Sequence, residues 1–155
     1  MLQMRENSLL DDTLAHCSDS NDQIVIDAVR AWFRPHCDAV RGRKSWRDVL
    51  SESGTTHNGL HCFDMFMSEL AKIAGPPLDI RCRCSLEVAG DEACLLQTIA
   101  CFQSNERTAA HTLFTDRFSG STTHRLANVA HWFAMMLFDA GVIVSKRARR
   151  VTYFH

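Results

Sequence analysis

Residues 78–87 read LDIRCRCSLE, and the fold turns on whether that decapeptide is a strand. Leu78, Ile80, Cys82, Cys84 and Leu86 alternate without exception against Asp79, Arg81, Arg83, Ser85 and Glu87. An apolar set facing a charged set with a period of two is the pattern of a half-buried β-strand. Gly75-Pro76-Pro77, just before it, ends the preceding helical pattern and marks the change of period. A single strand needs a partner, and the C-terminus supplies the obvious one. Val142-Ile143-Val144 and Val151-Thr152-Tyr153-Phe154 are β-rich runs on either side of the basic loop SKRARR, which predicts a hairpin over 142–154. A strand near 78–86 and that hairpin make a small sheet packed on helices, so the predicted class is α+β, mainly α-helical.

The rest of the chain carries the helical period. Ser20 with Gln23 fits a capping box, and Ile24, Ala28, Ala31 and Trp32 follow until Pro35 stops the pattern. A turn and a short helix suit residues 37–50. After the polar run SESGTTHN at 51–58, Leu60, Phe63, Phe66, Met67, Leu70 and Ile73 form an amphipathic stripe. Asp91 and Glu92 place negative charge at the start of a helix with Leu95, Leu96, Ile99 and Phe102 inside. Asn105 is placed to cap a further helix with Ala109, Ala110, Leu113 and Phe114 inside that ends near Gly120, and Ser121 and Thr122 open a long one carrying Leu126, Val129, Ala130, Phe133, Met136 and Leu137 up to Gly141. Residues 1–20 read as an acidic, weakly ordered segment and 21–155 as one domain.

At 155 residues, 46% apolar and 23% charged, the chain has the composition of a globular protein with a self-sufficient core. A formal net charge of -1 argues against a general polyanion binder. The distribution is uneven, with Glu6, Asp11, Asp12, Asp19, Asp22 and Asp27 early and Lys146, Arg147, Arg149 and Arg150 late, which suits self-association, a nucleic-acid contact or simple solubility. No basic-then-apolar leader and no window long enough for a membrane span is evident, so an intracellular, cytoplasmic protein is expected. Seven cysteines in such a chain read as reduced thiols.

On a strand, Cys82 and Cys84 would share a face with their Cα atoms about 6.6–6.8 Å apart, the limit of disulfide reach. Packing is therefore favoured over chemistry, and the same holds for Cys94 and Cys101, which share a helix face. The metal alternative adds His57 and His61, one helical turn apart, with Asp64 beyond them, to Cys82 and Cys84 as ligands for zinc or iron. No glutamate lies between the histidines to make a metalloprotease motif, and no nucleophile elbow, phosphate loop, deaminase signature or dinucleotide fingerprint occurs, so a non-enzymatic role without an obligatory cofactor is expected.

The order strand, three helices, hairpin resembles that of a winged helix. On that architecture His124, Arg125 and Asn128 would read the bases of double-stranded DNA, and Lys146, Arg147, Arg149 and Arg150 would contact phosphates. The long helix is about a turn longer than that module uses. Arg30, Trp32, Arg34, Arg41, Arg43, Lys44, Trp46 and Arg47 interleave bases with aromatics, and the favoured reading has the tryptophans as core anchors and the arginines solvated. The reading as a whole is a small regulatory or interaction protein that binds DNA through a winged-helix-like C-terminal half. Its rivals are a protein-binding adaptor, with self-association open to it, and a metal-binding protein.

Overall fold

Asp19 starts the first helix, one residue before the Ser20 cap expected, and its carboxylate accepts hydrogen bonds from the backbone N–H groups of Asn21 at 2.9 Å and Asp22 at 3.4 Å. The structure, a computed structural model, describes residues 19–36, 43–73, 78–118 and 123–146. Over these residues the chain runs α1 Ser20–Phe33, α2 Trp46–Glu52, α3 His57–Ile73, α4 Gly90–Gln103, α5 Arg107–Arg117 and α6 Thr123–Asp139. Ser45 caps α2 through the N–H of Asp48. Asn105 is not a cap; it takes φ 60, the left-handed conformation an asparagine tolerates, just beyond the end of α4. The expected acidic segment at 1–20 lies, but for its last two residues, outside the described residues.

α4 is the central helix. Every residue from Cys94 to Phe102 is buried, so it is enclosed on all sides rather than amphipathic, and α5 and α6 pack against it. α3 packs most extensively on α6, which Gly59 permits: a Cβ there would stand 2.5 Å from Thr55 Cγ2 and 3.3 Å from Met136 Cβ. An aromatic chain runs through the core. Trp46 meets Phe63 at 5.2 Å between centroids, Phe63 meets Phe133 at 5.0 Å, and Phe66 meets both Phe133 and Phe114 at 6.1 and 6.2 Å. These separations lie in the favourable range for tilted aromatic pairs and join α2, α3, α5 and α6.

No strand or sheet occurs among the described residues, so the α+β class, the small sheet and the winged-helix architecture are all overturned. The reason is visible at 78–89, where the backbone is irregular. Ile80 and Arg83 are buried while Leu86 is 68% exposed, so burial does not alternate. The peptide groups that a neighbouring strand would have satisfied are satisfied by side chains. Asp91 accepts from the N–H of Asp79 at 2.7 Å and Glu92 from that of Arg81 at 3.1 Å. Arg34 donates to the carbonyl of Ile80 at 2.8 Å, and Arg30 donates to those of Ser85 and Glu87 at 2.8 and 2.7 Å. Residues 142–146, the first arm of the expected hairpin, behave likewise. Gln103 donates to the carbonyl of Val142 at 2.9 Å and accepts from the N–H of Val144 at 2.8 Å, while Gln97 donates to the carbonyl of Ser145. The second arm, 151–154, lies outside the described residues.

Arg30 is the residue on which this arrangement hangs. It is 1% exposed, and its Nε and Nη2 form a side-on pair with the fully buried Glu92 carboxylate at 2.8 and 3.0 Å. Glu92 also accepts from the N–H of Ala89 at 2.9 Å, the first backbone donor of the turn into α4. The solvated arginine expected at this position is thus a buried cation bound to one carboxylate and two backbone carbonyls. Removing either partner leaves a buried charge, so Arg30→Met or Glu92→Leu alone should lower unfolding stability by about 3–5 kcal/mol, whereas the double substitution should lose much less than the sum. Chemical denaturation of the three variants checks this, and additive losses would contradict it.

Candidate functional site

One face of α1 builds the first candidate region. Asp27, Arg30 and Arg34 recur at helical spacing and all three point at the 78–89 segment. Asp27 accepts from Arg83 Nε at 3.1 Å, and Arg83 Nη1 reaches the carbonyl of Lys44 at 2.7 Å. Arg83, expected on a solvated strand face, is therefore buried between α1 and the start of α2. Beside it lies an open cleft of about 430 Å³ whose walls include Gln23, Ile24, Asp27, Arg43, Val49 and Arg83. Within it Arg30 and Arg83 are committed to carboxylates and carbonyls, and Arg43 is the exposed cation.

From Cys82 to Ser85 the chain turns. The N–H of Ser85 donates to the carbonyl of Cys82 at 3.0 Å, and this turn brings Cys82 Sγ to 3.3 Å from Cys84 Sγ. Cys82 is half-buried and Cys84 exposed, so neither is the core residue that strand alternation implied. Cys94 and Cys101 are buried on α4, as their helix face suggested. Burial pushes the Cys94 thiol up to about 11 and raises that of Cys62.

The residues assigned to a metal are not gathered. His57 and His61 are exposed on the first turns of α3, while Asp64 accepts from Trp32 Nε1 at 2.9 Å and so helps anchor α1 to α3. Cys82 and Cys84 lie on the turn described above, and no group of three or more His, Cys, Asp or Glu placed to hold a metal ion occurs among the described residues.

The residues assigned to base reading fare differently. His124, Arg125 and Asn128 are all exposed on α6. Arg125 is paired with Glu69 of α3 at 3.0 Å, and the His124 ring lies 6.4 Å from that of His111 on α5. Lys146 is bound to Glu106 at 2.7 Å, and Arg147, Arg149 and Arg150 lie outside the described residues. Further along this face, His131 packs against Phe102 at 5.0 Å, and burial together with Arg107 pushes its imidazole below the ordinary value.

The feature that motif reading passed over is on the same helix. Trp132 is 57% and Phe138 47% exposed, and with the half-buried Met135 between them they form a ridge at i, i+3, i+6 on the outside of α6. The signal was present as a remainder: these three positions fall outside the helix's buried stripe, and a surface helix has no packing reason to place tryptophan there. No helix among the described residues is long and apolar enough to cross a membrane. No family model matches the chain, and no curated protein or solved structure is found to resemble it.

Thiol environments differ enough to be read chemically. At pH 8 only about one Cys94 side chain in a thousand would be thiolate, so among the described cysteines iodoacetamide should alkylate the exposed Cys84 first and Cys94 at least about a hundredfold more slowly in the folded protein. Peptide mapping over time gives the order, and comparable rates would show that Cys94 is not held in the core.

Proposed function

We propose that the protein is a non-enzymatic interaction module whose binding surface is the outer face of α6, and that the partner this face fits is a second copy of the chain. The observation that supports it is the Trp132, Met135, Phe138 ridge, because large aromatic and Met side chains left in water on a helix are the groups that dominate protein interfaces.

The charges around the ridge favour a two-fold pair. Arg125, Trp132 and Asp139 follow one another at intervals of seven residues, two helical turns, and so share one stripe with Trp132 midway. All three are exposed. Two α6 helices packed antiparallel about an axis at Trp132 would set Arg125 against the partner's Asp139 at both ends of the contact, about 21 Å apart along the helix. Such a surface is self-complementary: apolar in the middle, opposite in charge at its two ends, with the helix dipoles opposed.

Protein association is preferred here over nucleic-acid contact because the two described cations assigned to DNA are ion-paired, Arg125 to Glu69 and Lys146 to Glu106, and the ridge between Arg125 and Asp139 is apolar. The rim pair costs Arg125 little, since an exposed guanidinium can serve two carboxylates.

Sedimentation equilibrium over a concentration series tests the reading. A monomer–dimer equilibrium is expected, with Trp132→Ala weakening it by about 30-fold or more, as loss of a central aromatic anchor does. Arg125→Asp and Asp139→Arg should each weaken the dimer, and the two together should restore it. Helicity should be unchanged in all of these variants because the altered side chains are exposed. A wild-type chain that stays monomeric at every concentration would overturn the proposal.

A further inference from the structure

We propose that Cys82 and Cys84 are a reactive dithiol that is closed to a disulfide within its turn by exchange with a small-molecule disulfide, Cys84 attacking first and Cys82 completing the ring. This site lies on the 78–89 segment and does not depend on the α6 interface.

Four observations on the page support it. The sulfurs are 3.3 Å apart, so a bond of about 2.05 Å needs them to approach by only about 1.2 Å. The backbone has already turned at Cys82, which removes the obstacle that an extended strand would have posed to bridging residues two apart. Exposure is graded, with Cys84 open to a reagent and Cys82 half-buried behind it, the disposition of an attacking and a resolving thiol. The turn is also held from both sides: the N–H of Arg81 is bound to Glu92, and the Arg83 guanidinium to Asp27 and the Lys44 carbonyl. The two sulfurs are thus kept together rather than meeting by chance, and closure asks for side-chain rotation rather than unfolding.

The chemistry balances as two exchanges. The Cys84 thiolate attacks one sulfur of the small disulfide, forming a mixed disulfide and expelling one small thiolate. The Cys82 thiolate then attacks Cys84 Sγ, forming the Cys82–Cys84 bond and expelling the second small thiolate. Overall the two protein thiols are oxidised by two electrons, the small disulfide is reduced to two thiols, and the two protons move from the cysteines to the leaving thiolates. A ring containing one intervening residue is strained, which places it among the readily reduced disulfides that cycle rather than among structural ones.

The test uses the full chain, reduced, freed of reductant and incubated anaerobically with oxidised glutathione. Acid-quenched samples are weighed intact and mapped with a protease that cleaves after acidic residues, which releases residues 80–87 with both thiols. The expected product has lost two hydrogens, carries no glutathione and has the loss within residues 80–87; dithiothreitol should reverse it. Cys82→Ala should instead retain one glutathione on Cys84, and Cys84→Ala should react at least about tenfold more slowly, through a half-buried thiol. Wild-type protein that keeps glutathione on Cys84, leaves residues 80–87 reduced, or forms its bond between other cysteines would overturn the proposal. The wild-type map decides the matter even if a variant folds poorly.

Discussion

A guanidinium and a carboxylate, both out of water, organise this protein. Arg30 on α1 and Glu92 at the start of α4 meet side-on, and both make further hydrogen bonds to the backbone of the segment between α3 and α4. A buried ion pair is tolerable only when its remaining hydrogen-bonding capacity is met, and here the irregular segment meets it. The dependence runs both ways. Without the pair, the buried N–H of Ala89 would lose its acceptor, and the carbonyls of Ser85 and Glu87 and the N–H of Arg81 would lose the side chains that hold them against α1 and α4.

The same device is used twice. Gln103 and Gln97 on α4 bind residues 142–146 through their carbonyls and N–H groups, as Arg30, Arg34 and Glu92 bind 78–89. Two non-helical segments thus lie against the helical core with side chains standing in for neighbouring strands. Each can be irregular because its partners are discrete groups rather than a ladder. That freedom lets residues 82–85 turn, bury Arg83 and carry the thiols outward.

The two surfaces proposed for function follow from what the core leaves outside. α6 is buried on one side against α3, α4 and α5, and its remaining face carries the aromatic ridge with Arg125 and Asp139 at either end. The dithiol turn is held by α1 and α4. The two surfaces therefore rest on different parts of the structure and can be altered separately.

The helices were legible in the sequence because their signals are local. Apolar residues three and four apart, acids at the start of α4 and Gly141 after α6 each act within a turn or two of the chain. The buried stripes of α3 and α6 were readable for the same reason, and Trp132, Met135 and Phe138 are what the stripe of α6 leaves out. What tertiary structure alone decided was the fate of LDIRCRCSLE and of the run after Gly141. Alternation of apolar and polar residues specifies an extended backbone, but not what satisfies its peptide groups. Those partners, Arg30 and Glu92 above all, lie elsewhere in the chain, and only folding shows that they replace a sheet. The nearness of Cys82 Sγ to Cys84 Sγ has the same origin, since it depends on a turn that distant side chains hold in place.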